Sequence, residues 1–135
     1  MKKASLIAAV FLLNGCHLEK PYLHSLNVTI KDNSPCFKVP SDIENSYQII
    51  KNRGVQIYKK SEQDWELFWH SPPQPTFPEI FSGECLLYQP IKWGEGTYSV
   101  LMGISADNDK KRYRLENTFT LHRDKAGNFT IWDTQ

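Results

Sequence analysis

Long apolar runs are scarce in this chain of 135 residues. Only Ala4 to Leu13, with Ser5 as its single polar residue, comes near one, and such a run falls short of the roughly 20 residues that a helix needs to span a bilayer. No other stretch approaches membrane length. Excess charge of one sign is missing too: 16 Lys and Arg stand against 15 Asp and Glu, a formal net charge of +1. A near-neutral balance argues against nucleic acid as a partner, which wants a basic face. Sustained helical periodicity is absent after residue 16, which argues against a helical domain. There are no internal repeats, and the one low-complexity tract is a short proline segment.

The motifs of the common enzyme classes are also missing. The histidines are His17, His24, His70 and His122. None is paired at HxH, HxxxH or HExxH spacing, so no zinc site is written in the sequence. There is no GxSxG, no P-loop and no GxGxxG. Glu84 and Glu95 are a carboxylate pair only if the fold brings them together, and such residues ordinarily face solvent. The chain therefore reads as non-catalytic, with no cofactor and no metal.

What is present begins at the N-terminus. Lys2 and Lys3 precede the apolar run, and Leu13-Asn14-Gly15-Cys16 follows it. The run has the length of a signal-peptide core. An aliphatic residue three places before a cysteine, with a small residue between, is the lipobox pattern. The Cys16 thiol would accept diacylglycerol, and the small Gly15 leaves the bond accessible to the signal peptidase. An ordinary secretory signal that happens to hold a cysteine is the alternative. The expected organisation is a signal peptide over 1–15, a lipidated tether over 16–24 and a domain over 25–135. Loss of Lys2 and Lys3 turns the net charge to −1. A single acyl chain anchors marginally and two signals suffice, so a triacylated Cys16 would hold the protein to the membrane. His17, rather than Asp, follows Cys16. By the enterobacterial sorting rule this implies the outer membrane, with the domain in the periplasm.

The remaining cysteines are Cys36 and Cys85. In an oxidising compartment such a pair ordinarily forms a disulfide. Two free buried thiols are the alternative.

Beyond the tether the pattern is that of strands. Leu26, Val28 and Ile30 alternate with polar residues, and Asp32-Asn33-Ser34-Pro35 is a turn cluster. A brief strand over Cys36 to Val39 follows. Ser41-Asp42-Ile43-Glu44 fits a capping box for one or two helical turns. Asn52-Arg53-Gly54 reads as a three-residue hairpin loop between strands over 47–51 and 55–59. Trp65, Leu67 and Trp69 alternate next. Residues 72–78 hold Pro72, Pro73, Pro75 and Pro78, which excludes a helix or a central strand and suggests an extended crossover. Strand character returns at Glu84 to Tyr88, and Pro90 to Gly96 is a loop containing Trp93. Tyr98, Val100, Met102 and Ile104 form one face of a strand, and Tyr113, Leu115, Phe119 and Leu121 one face of the next. Asp124 to Asn128 signals a last hairpin. About eight short strands predict an all-β domain, a small antiparallel β-sandwich of Ig-like or transthyretin-like kind.

Trp69, His70, Phe77 and Phe81 lie in or beside the proline segment. Rings stiffened by proline lose little entropy on binding, and aromatic residues dominate interface hot spots. These residues, with Trp93 in its loop, are the candidate partner-binding surface. The alternative is that the rings pin a crossover onto the edge of the sandwich.

In their order, several stretches resemble a family of small enterobacterial periplasmic lipoproteins assigned to type VI secretion immunity. They are the lipobox at Leu13 to Cys16, Asn33 to Pro40, Gly83 to Tyr88, Arg112-Tyr113-Arg114, Phe119-Thr120-Leu121 and Asp124 to Gly127. Together they cover most of the chain after Cys16. One position departs: Thr120 stands where family members often carry cysteine. The resemblance implies a partner that is a toxic protein effector, captured and blocked in the periplasm without catalysis. Two other readings compete. One is a structural lipoprotein of a secretion complex. The other is a periplasmic lysozyme inhibitor, whose membrane-bound type carries a Trp followed by a Lys-Gly pair that no Trp has here.

Overall fold

A computed structural model describes residues 22–133. The signal segment, Cys16 and most of the expected tether lie outside the described residues. Among the described residues nine strands and one short helix follow one another: β1 (Tyr22–Ser25), β2 (Asn27–Lys31), β3 (Ser34–Lys38), α1 (Ser41–Ser46), β4 (Ile50–Ser61), β5 (Asp64–His70), β6 (Glu79–Ile80), β7 (Gly96–Ala106), β8 (Lys111–Arg123) and β9 (Phe129–Asp133). The domain is all-β, as the alternating pattern predicts. It begins slightly earlier than expected, because Tyr22 to His24 belong to a strand.

The large sheet is built on the hairpin of β7 and β8, paired from Gly96↔Leu121 to Ala106↔Lys111. Asp107, Asn108 and Asp109 make its turn at positive φ, a conformation that Asn and Asp tolerate better than most residues. β4 runs antiparallel along the other side of β7. Both outer positions of the sheet are shared. β5 and β6 divide the far side of β4, and β1 and β9 divide the far side of β8. All these ladders are antiparallel except β1 with β8.

The second layer is thinner. It holds the β2–β3 hairpin, turned at Asp32 and Asn33 with φ of 54° and 55°, two successive left-handed residues as a two-residue hairpin loop requires. Leu86 adds a single bridge to Phe37. Beside it the Cys36–Cys85 disulfide joins the hairpin to the crossover, with Cα atoms 5.3 Å apart. Cys36 and Cys85 are thus paired and are not two free thiols. The inner faces of the two layers enclose the core. Tyr98, Val100, Met102 and Ile104 of β7 pack with Leu115, Phe119 and Leu121 of β8 and with Val55 and Ile57 of β4. Leu26, Phe37, Val39 and Ile43 cover them. Each such side chain stabilises the fold by about 1.5–3 kcal/mol through burial.

Three local expectations are corrected. Asn52-Arg53-Gly54 is no hairpin: β4 is continuous, and Arg53 is an extra residue where the register shifts against β7. The Asn52 side-chain oxygen accepts the Gly54 amide at 2.9 Å and Gly54 has φ 131°. The residues have turn chemistry, but β7 offers a partner on both sides of them, so the strand bulges instead of reversing. The bulge also lets Ile50 and Val55, at odd spacing, both face inward. In β5, Phe68 is likewise extra, opposite the Ile57/Tyr58 step. Trp65 and Leu67 therefore stay outside while Trp69 turns toward the core, and the three do not share a face. Finally, α1 is capped at Pro40 without a side-chain hydrogen bond. The Glu44 carboxylate instead accepts the Gly83 amide, at 3.2 Å from each oxygen.

Candidate functional site

A cleft of about 840 Å³ opens beside β4. Its cause is the proline segment. Ser71 is fastened to β4 through its amide, 2.9 Å from the Val55 carbonyl, and through its hydroxyl, which accepts the Val55 amide at 2.9 Å. The Pro78 carbonyl accepts the Asn52 amide at 2.8 Å, after which β6 pairs with Ile50 and Lys51. Between these two anchors the prolines lack N–H groups and cannot extend the ladder. The segment bows away as a strap, and the space it leaves is the cleft.

Trp69 and Tyr88 line the inner side, ring centroids 5.0 Å apart. The Asn52 amide donates to the Tyr88 hydroxyl at 3.1 Å. Burial pushes the Tyr88 phenol above its usual range, the Glu84 carboxylate adds to this, and the Asn52 hydrogen bond works the other way. On the outer side, Gly54 pairs with Gly103 and Gly103 with Arg114. The Arg53 guanidinium lies 4.6 Å from the centroid of the Phe77 ring, a cation–π contact that orders both. The lining includes Arg53, Arg114 and His70 and no Asp or Glu. It offers hydrogen-bond donors and apolar surface.

The cleft brings together three of the five partner-binding residues expected from sequence. Trp69 is half-buried in its wall, His70 is exposed with Nδ1 3.0 Å from the Ser71 carbonyl, and Phe77 sits on the rim at 36% exposure. Phe81 is 68% exposed but stands outside the lining, its amide bound to the Glu84 carboxylate at 2.9 Å. Trp93 packs into the core cluster, with Tyr98 at 4.8 Å and Phe68 at 5.9 Å between centroids. Sequence reasoning passed over Arg53, Gly54, Gly103, Arg114 and Tyr88. The available signal was Gly103 inside a strand pattern, which marks a bulge or a close approach, whereas Gly54 reads as part of a hairpin loop.

A histidine–glutamate contact lies apart from the cleft. His122 Nδ1 stands 2.9 Å from Glu95, and the Trp132 ring lies 4.8 Å from the imidazole. Both members of the pair are about half exposed, so solvent screens it. Among the described residues no three His, Cys, Asp or Glu side chains gather as a metal site, and no helix is long and apolar enough to cross a membrane.

No family model, no curated protein and no solved structure matches this chain.

Proposed function

We propose that this chain is a lipid-anchored periplasmic binding protein that captures a toxic protein effector, as immunity proteins of type VI secretion do. The anchor is Cys16, and the contact surface is the proline strap with its cleft. Phe81 extends that surface. The observation that carries this reading is the strap itself. It is pinned at Ser71 and Pro78 and holds Phe77 against Arg53 at an open rim. A rim ordered before binding loses little conformational entropy when it binds, and a half-exposed aromatic beside arginine is the composition of an interface hot spot.

The test uses the full chain and the product of the neighbouring gene as effector. Titration calorimetry should give a saturable complex, and co-expression should protect cells that receive the effector in the periplasm. Cys16→Ser should abolish membrane fractionation and that protection together. An effector that neither binds nor is neutralised would end this reading.

A further inference from the structure

Three residues in register cross the outer face of the large sheet: Gly54 on β4, Gly103 on β7 and Arg114 on β8. The rows on either side carry side chains, Gln56–Leu101–Glu116 on one and Lys51–Ser105–Arg112 on the other. Two glycines side by side therefore leave a recess between rows that are four residues, roughly 13 Å, apart on β7. Gly54 owes its identity to its backbone, at φ 131°. Gly103 does not. Its φ is not in the left-handed region, and a Cβ there would meet Arg53 Cβ at an ordinary 3.5 Å. Glycine weakens a strand interior, and the side chain missing at Gly103 leaves a recess in the cleft wall that is bounded by Arg53 Cβ and, beside Gly54, by the Ser71 hydroxyl.

Charge says what the floor would receive. Arg53 stands over Gly103 and leans on Phe77; Arg114 stands at the other end. Among the described residues neither forms an ion pair, although Glu116 shares the face of Arg114. In the neighbouring row Lys51 and Arg112 are offset by Glu79, opposite Lys51, and by Asp109, which accepts the Ser105 hydroxyl at 2.8 Å, so the positive charge centres on Arg53 and Arg114. Two unpaired guanidinium groups about a recessed floor match a carboxylate, which a forked donor holds bidentately. The recess lies below neighbouring side chains, so it admits a protruding chain segment better than a flat lipid surface.

We propose that this trough receives an acidic segment of the protein partner, with an Asp or Glu carboxylate held between Arg53 and Arg114. The assignment rests on the capture function above and names the chemistry of what is captured. Fluorescence anisotropy of labelled hexaglutamate against the full chain in detergent micelles tests it. Hexaglutamate should bind and weaken with salt. Arg53→Gln and Arg114→Gln should each cost roughly tenfold in affinity. Gly103→Val should abolish binding by filling the floor, and Gly103→Ala, which the backbone accommodates, should weaken it if the valine variant fails to fold. Lys125→Gln, at the distant β8–β9 turn, should change nothing.

Equal binding of hexalysine, or full affinity in both arginine variants, overturns the assignment. So does binding to phosphatidylglycerol vesicles that needs both arginines when hexaglutamate does not bind. The two levels separate cleanly. An effector that binds both arginine variants at full strength removes the trough and leaves capture standing. An arginine-dependent hexaglutamate site in a chain that ignores the effector removes the capture reading instead.

Discussion

Phe37 and Leu86 exchange both of their backbone hydrogen bonds, at 3.0 and 2.8 Å, one residue along from the disulfide that joins Cys36 to Cys85. The crossover is thus fastened to the second layer twice, once covalently and once by the bridge. The covalent fastening acts mainly on the unfolded chain, by closing a loop of 49 residue steps.

Replacing both cysteines with serine should therefore cost about 2–4 kcal/mol while the Phe37–Leu86 pair persists. Urea denaturation should show a lower midpoint. The far-ultraviolet circular dichroism spectrum of the folded state should be unchanged. Identical melting of reduced and oxidised protein would remove the bridge from the account of stability.

Alkaline pH should weaken the fold through Tyr88. Its phenol is raised in the folded state, first by burial and then by Glu84, against the Asn52 hydrogen bond. The folded state therefore holds this proton more tightly than the unfolded one. The contribution is complete below the ordinary tyrosine value of about 10 and is lost as pH rises through the folded value. Tyr88→Phe should blunt that decline, at a neutral-pH cost of about 1 kcal/mol for the lost bond. Chemical denaturation across the alkaline range, wild type against variant, reads both effects.

Trp93 and Phe81 should separate sharply. Trp93→Ala removes a ring packed on Tyr98 and Phe68 and should cost about 3–5 kcal/mol. Phe81→Ala removes a largely exposed ring and should move stability by no more than about 0.5 kcal/mol, while weakening effector binding. Thermal melts and calorimetry of the two variants check this; comparable destabilisation would make Phe81 a packing residue.

Asn117 faces inward on β8, where its side-chain amide donates to the Leu26 carbonyl at 2.6 Å. Its side-chain oxygen is buried without a hydrogen-bond partner. Asn117→Leu should cost about 1–3 kcal/mol for the stranded carbonyl. Asn117→Asp should cost more at neutral pH, because it brings an unpaired carboxylate toward that carbonyl. The order of the two melting temperatures is the measurement, and a reversed order would contradict the assigned bond.

The candidate site was half legible. Trp69, His70 and Phe77 could be read because prolines beside aromatics are a local signal. Arg53 and Arg114 could not, since an arginine on a strand gives no hint of what lies opposite. Phe81 and Trp93 look alike in sequence, each an aromatic in an irregular stretch. Only packing sends one to solvent and the other among the core rings.

By itself the order of residues settled whatever depends on neighbours along the chain. Alternation set the buried faces of β7 and β8. The cluster from Asp32 to Pro35 marked a turn, which the structure confines to Asp32 and Asn33, and a run of prolines broke the ladder at the strap. Tertiary structure decided what depends on a partner strand. The bulges at Arg53 and Phe68 are changes of parity, and parity is defined only against the strand opposite. They kept β4 unbroken, turned Trp69 inward and set Gly54 beside Gly103, two residues remote in sequence that contact energy alone could bring together.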